Sequence, residues 1–300
     1  MSVLQPAMEL PVPRRRRLDS ITQTFRRYPV VSGFLLLVVI GMAVFAGVLQ
    51  KQPPNAQLLV DRYQPPFWVG DGSWDHPLGT DGLGRDVFSR AIHGARVSML
   101  VAGVSILIGT AAGTLVALLA GNWHRSWIDT TLMRITDAML SIPLVLAALL
   151  FAVAVGASFG MVVTIIALFI WARTARIVRT EVLEVNTRDF VTFARLSGAS
   201  NLRIITRHLL PNISHVAIVM ATLEVGNVII LEASLGFLGV GVPPPDPSWG
   251  GMVAEGRSQI TSAWWLVVVP GVMIMITVVS LNFLGDWLRD RLDPRLRTEV

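Results

Sequence analysis

The sequence predicts an all-α membrane protein with six transmembrane helices and both termini in the cytoplasm. Three observations carry this expectation. The 300 residues are 53% hydrophobic and only 15% charged, with a mean hydropathy of +0.60, far from the balance of a soluble domain. Six segments are apolar over about the twenty residues that a helix needs to cross a hydrocarbon core of roughly 30 Å. Lys and Arg are also partitioned: six in 1–29, two in 122–137, seven in 173–211 and four in 286–300, nineteen on the side of the termini, against six in 50–96 and 238–263. The inside-positive bias puts the richer side in the cytoplasm.

Taken in order, residues 1–29 form a cytoplasmic tail containing the Arg14–Arg17 cluster. The first span, 30–49, is longer than the apolar part of a secretory signal and lacks an Ala-x-Ala ending, so it reads as an uncleaved anchor. Residues 50–96 form an extracytoplasmic loop, and 97–288 a core of five further spans. The second span covers 97–121, where Gly109 and Gly113 form a small-xxx-small pair, with Gly103 nearby, suited to close helix packing. Asp137 to Arg173 is uncharged between its ends and too long for one crossing. The stretch GASFG at 156–160 divides it into the third and fourth spans. The fifth span runs over 213–235 and the sixth over 264–285, with Trp264, Trp265 and Trp287 at its ends as interfacial anchors. Residues 289–300 form a cytoplasmic C-terminal tail.

Several chemistries are excluded or disfavoured. There is no cysteine, so disulfides, thiolate metal sites and Cys nucleophiles are absent. Lys51 is the only lysine and follows Gln50, so there is no Walker phosphate loop. His76, His93, His124, His208 and His215 lack metal-ligand spacing, and no metal or cofactor is expected on this chain. GTDGLGRD, 79–86, does not have the Gly-x-Gly-x-x-Gly spacing and reads as a structural turn. A pI of about 10.8 reflects arginines beside apolar spans rather than nucleic-acid binding.

One segment does not fit an ordinary connector. Residues 189–211 are polar, basic and helix-prone, between long apolar runs and facing the cytoplasm. Phe190, Val191, Phe193, Ala194 and Ser197 recur at helical spacing, and Gly198 can adopt the left-handed conformation that ends a helix. Ser200 or Asn201 can cap a second helix, in which Leu202, Ile205 and Leu209 share one face and Arg203 and Arg207 another, until Pro211 begins the next crossing. Such a hairpin can lie on anionic lipid, serve as a packed connector, or fill a groove in a cytosolic protein. In the fifth span Glu224, Asn227 and Glu232 are candidates for lining a pathway, because intramembrane carboxylates usually face water or a partner. Glu232 can also be read as solvated near the outer interface.

The hairpin resembles the signature cytoplasmic loop of permeases of ATP-binding cassette importers: Glu-Ala-Ala, three residues, Gly, nine residues, an apolar residue, any residue, then Leu-Pro. Ala194, Gly198, Leu210 and Pro211 fall at matching positions. Thr192 stands for the Glu, Phe193 for the first Ala and His208 for the apolar residue, departures that bear on individual contacts rather than on the spacing. HPLGTDGLGRDVFSRAIHGARVS (76–98), LEASLGFLGVGVPPPDPSWGGMVAEGR (231–257) and NFLGDWLRDRLDPR (282–295) are similar to blocks of the dipeptide, oligopeptide and nickel permeases, in the same order. The resemblance covers nearly everything after residue 25, and is to the C-type subunit.

That resemblance implies the type I importer permease fold in a bacterial cytoplasmic membrane. It implies a heterodimer with a second permease, two cytosolic ATPases that hold the ATP and Mg, and an extracytoplasmic binding protein. It gives ATPase coupling to Phe190, Thr192, Phe193, Ala194, Arg195, Gly198, Ala199, Leu202, Arg203, Leu210 and Pro211. This chain itself would be non-catalytic. The implied cargo is dipeptides or short oligopeptides, with nickel chelates, glutathione and opines as alternatives. An ion-coupled secondary transporter is the rival class. It needs no cytoplasmic hairpin and often shows inverted repeats, which this sequence lacks.

Overall fold

The computed structural model describes residues 30–292. The tail 1–29, and all of the C-terminal tail beyond residue 292, lie outside the described residues. The chain is helical: α1 (Val30–Val44), α2 (Ala46–Leu49), α3 (Val87–Asn122), α4 (Trp127–Ser141), α5 (Leu144–Val155), α6 (Phe159–Asn186), α7 (Asp189–Leu196), α8 (Asn201–Ile204), α9 (Leu210–Phe237), α10 (Trp249–Gly256) and α11 (Trp265–Leu292). The only pairing of extended backbone among the described residues is an isolated bridge between Thr80 and Asp86.

Four continuous helices are long and apolar enough to cross a membrane, at Val87–Asn122, Phe159–Asn186, Asn201–Phe237 and Trp265–Arg289. The expected first span is a fifteen-residue α1 followed, after Phe45, by the single turn of α2. The expected third span is broken, with α4 and α5 meeting at 89°. The cause is local: Pro143 has no N–H to continue the helix, and its ring forces Ile142 into an extended conformation (φ −86°, ψ 126°). The twelve residues of α5 reach only about 18 Å. The division at 156–160 lies where expected. Gly156 takes φ +86° to end α5, and the Ser158 hydroxyl accepts from the Met161 amide to start α6.

α3 begins ten residues before the expected span. Asp86 caps it, accepting from the Ser89 amide at 2.8 Å and the Ser89 hydroxyl at 2.6 Å, and its first turn holds the 50–86 loop, whose Lys51 amide donates to the Ser89 hydroxyl at 3.1 Å. There GTDGLGRD closes as a turn: the Asp81 carboxylate accepts from the Leu83 and Arg85 amides at 2.8 and 3.0 Å, with Gly79 and Gly84 at positive φ. Trp265, expected at the membrane interface, is instead 4% exposed and donates its indole N–H to the Thr80 carbonyl at 3.1 Å. The 50–86 loop folds over it and buries it. The neighbouring Trp249 is fully buried, bonded to the Ala91 carbonyl at 2.9 Å.

The core rests on α3 packed along α6. Gly109 lies against Ile170 and Gly113 against the Trp171 backbone, where an added Cβ would come within 2.6 Å of Ile170 Cβ and 2.5 Å of the Trp171 carbonyl oxygen. Gly103 has open space around it and takes no part in this contact. Backbone cannot yield as a side chain does, so Gly113→Leu is expected to separate the two helices and cost about 1–3 kcal/mol or more. A fall in monodisperse yield and in apparent Tm in detergent checks this, and an unchanged Tm would remove the packing role.

Candidate functional site

The hairpin 189–211 has the predicted turn. α7 ends in a Schellman motif: the Gly198 amide donates to the Arg195 carbonyl at 3.0 Å and the Ala199 amide to the Ala194 carbonyl at 3.1 Å, with Gly198 at φ +80°. The Ser200 side chain caps α8 by accepting from the Arg203 amide. α8 then runs through a π-turn, Ile205–Leu209, into α9. The wider turn sits immediately before Pro211, which has no N–H, and the Asn212 side-chain amide donates to the His208 carbonyl at 2.7 Å.

The π-turn changes which residues face inward. Ile204, Leu209 and Ile213 are buried at intervals of five and four, against Val178, Val182 and Val185 of α6 and Ala117 and Leu118 of α3. The expected shared face of Leu202, Ile205 and Leu209 is therefore split. Leu209 is fully buried and Leu202 is 71% exposed, because the extra residue of a π-turn rotates everything before it relative to the span. Val191 anchors α7 from the same side.

The opposite surface of the hairpin is apolar and open. Phe193, Leu196 and Leu202 are 65%, 79% and 71% exposed, with Phe190 and Leu210 at its edges. Ala194 and Ala199 are half-buried between the two helices, whereas Thr192 and Pro211 are exposed. Arg203 and Arg207 form a basic rim. Arg195 is turned differently: its Nη2 donates to Asn186 Oδ1 at 2.7 Å and Asn122 Oδ1 at 3.1 Å. It ties the hairpin to the C-terminal ends of α3 and α6. Sequence reasoning omitted Leu196, although its place one turn after Phe193 carried the signal.

The candidate pathway residues separate into two environments. Glu224 accepts from Arg173 Nη1 at 2.9 Å, and Asn227 Nδ2 lies 3.5 Å from its other oxygen. The Arg173 side chain is 57% exposed, and Asn227 is exposed beside it. Glu232 is not a lining residue and is not solvated, for it is 0% exposed and accepts from the Ser98 hydroxyl of α3 at 2.8 Å. Its helix face points into the bundle, so both expectations for it give way to an internal tie. Arg173 escaped notice because it stood at the expected boundary of the fourth span. It opens a ladder of three arginines at every third position of α6: Arg173 with Glu224, Arg176 with Asp137, and Arg179 with Asp129 at 2.8 Å. The last two acids belong to α4, so the ladder fixes the bent α4–α5 unit to the core.

At the N-terminal end of α3, Arg85 and Arg90 converge on Glu255 of α10, at 2.7 and 3.0 Å, beside a cavity of about 320 Å³. His76 lies 3.3 Å from Asp86 and 3.9 Å from Asp61. Among the described residues no three of His, Asp and Glu are placed to hold a metal ion.

The chain is similar to known proteins in sequence and in fold. The chain is 40% identical over 265 residues to a putative peptide transport system permease protein of Brucella suis, covering 88% of this chain and 87% of that one. It is 40% identical over 298 residues to the di/tripeptide transport system permease protein DppC of Pseudomonas aeruginosa, covering 97% and 95%. In fold it is similar to a chain of the inward-facing MetNI methionine ABC transporter, with a TM-score of 0.56 at 18% identity, over 69% of this chain and 97% of that one. Residues 109–298 match the family described as the binding-protein-dependent transport system inner membrane component. A family match over 109–298, apolar helices long enough to cross a membrane and relatives along nearly the whole length lead to one conclusion: the chain belongs to this family of inner-membrane transport permeases.

Proposed function

We propose that this chain is one of two permease subunits of an ATP-driven importer for dipeptides or short oligopeptides, and that its hairpin is the handle by which cytosolic ATPases move it. The observation that carries this reading is the open apolar face of Phe193, Leu196 and Leu202. Each such side chain gains roughly 1.5–3 kcal/mol on burial, so a face with three of them fits a groove in a protein better than water. The relatives named for peptide transport support the cargo. Six crossings with both ends in the cytoplasm remain the arrangement we favour, with Val30–Leu49 as one and α5, after its bend, completing another.

Mechanism follows from continuity. From Asn201 to Phe237 the chain is helical throughout, about 55 Å of lever. Displacement of the docked hairpin therefore reaches the spans as rigid-body motion. The partner ATPases hold ATP and Mg and supply the free-energy difference between the two permease states. This chain transmits that difference and performs no chemistry. The second permease completes the pathway, on whose wall we place Glu224 and Asn227. The outer loops are the docking surface for an extracytoplasmic binding protein.

Co-expression with the ATPases tests this directly. The double variant F193D/L202D should insert normally yet lose co-purification of the ATPases by at least tenfold, and uptake with it, since two carboxylates would need desolvation in the groove. Retained ATPase capture together with uptake would refute the handle.

A further inference from the structure

We infer that Arg173 is a recognition residue in the pathway wall, binding the free α-carboxylate of the peptide as it passes. The inference rests on the importer reading above and names the chemistry of the cargo group that the wall reads. Arg173 lies fourteen residues, about 21 Å, along α6 from Phe159, short of the roughly 30 Å of a hydrocarbon core, so a span that starts at Phe159 holds it at membrane depth. A guanidinium is always charged, and a charge at that depth is not left against lipid. It is not drawn away along its own helix to the headgroups, because Nη1 is held sideways by Glu224, a residue 8% exposed on α9. The exposed side of Arg173 therefore faces water or protein.

The remaining donors are suited to one class of ligand. With Nη1 committed to Glu224, the Nε–H and Nη2–H edge has no partner among the described residues, and that edge presents two parallel donors at the spacing of the two oxygens of a carboxylate. Asn227, exposed beside the pair, adds an amide. Arg173 and Glu224 together carry no net formal charge, so the wall does not trap anions by field alone. A carboxylate gains only when it reaches the fork, and weak binding of this kind lets cargo leave as well as enter. Among the described residues of the expected spans, Glu232 is the other carboxylate at membrane depth, and it points into the bundle.

The test uses the assembled complex in liposomes: both permeases, both ATPases and the binding protein, with tritiated dialanine and its C-terminal amide as probes. Uptake is expressed as peptide moved per ATP hydrolysed and normalised to the loaded fraction of binding protein. R173Q is expected to lower dialanine uptake per ATP at least tenfold while changing amide uptake less than twofold. R173K should lose about threefold, because an ammonium lacks the fork. R173Q/E224Q removes the ion pair without leaving an unmatched charge, and should remain as defective as R173Q for the free acid. Recovery of that double variant to within twofold of wild type would show that Arg173 only neutralises Glu224, overturning the inference. An R173Q defect equal for acid and amide would assign the arginine to a lipid headgroup or a neighbouring subunit, with the same result. If the wild-type complex shows no ATP-dependent dialanine uptake, the importer reading fails for this cargo and the inference falls with it.

Discussion

Replacing Gly198 with valine is expected to leave the protein inserted in the membrane and to abolish coupling to ATP hydrolysis. The position has open space around it, so the effect comes from the backbone alone. Gly198 sits at φ +80°, a region that costs an ordinary L-residue about 1–2 kcal/mol and a β-branched residue more. The cheapest relief is to unwind the last turn of α7, which breaks the Gly198–Arg195 and Ala199–Ala194 bonds and turns Phe193 and Leu196 away from Leu202. Gly198 precedes the helix Asn201–Phe237, so membrane insertion is untouched. Binding-protein-stimulated ATPase activity of the assembled complex should fall at least tenfold in G198V. Asn, which tolerates the left-handed region, should retain most of it. If G198V keeps stimulated activity within twofold of wild type, the turn has no mechanical part in coupling.

Much of the hairpin was legible because its determinants are local. A Gly that must take positive φ, a Ser that can cap and a Pro that cannot donate announce themselves at single positions, and Gly198, Ser200 and Pro211 are where the chain turns, restarts and enters the span. The close packing at Gly109 and Gly113 was legible for the same reason. The π-turn was not, since periodicity reasoning assumes 3.6 residues per turn throughout. One wider turn was enough to put Ile204 inside and Leu202 outside. The Ile142–Pro143 pair did carry a signal, yet an unbroken apolar run concealed it. Glu232, Trp265 and Arg173 share another cause. Their environments are made by residues far away in sequence, Ser98, Thr80 and Glu224, and no window along the chain contains both partners.

Glu255→Ala is expected to give the largest loss of stability where the 50–86 loop meets α10. Arg90 is 3% exposed and has two charged neighbours of opposite sign: Glu255, at 3.0 Å, and Asp81, at 3.7 Å. Arg85 shares both, at 2.7 Å to Glu255 and 2.6 Å to Asp81. Two guanidiniums and two carboxylates balance. Without Glu255, two guanidiniums would be left with one carboxylate, and the Nη2 of a buried arginine would lose its acceptor. Breaking a fully buried pair costs 3–5 kcal/mol, but the Glu255 side chain keeps 40% of its surface in solvent, so about 2–3 kcal/mol is the better figure. For a chain of this size that is a fall in apparent Tm on the order of 5–10 °C. Because the cluster joins the 50–86 loop to α10, the same variant should also weaken binding-protein stimulation of the ATPases. E255A/R85M restores the charge balance and should recover part of the lost stability, whereas R85M alone should cost less than E255A because Arg90 keeps both acids. A Tm within 1–2 °C of wild type for E255A would mean that water already screens the cluster, and that the two outer loops are held together by Trp249 and Trp265 rather than by charge.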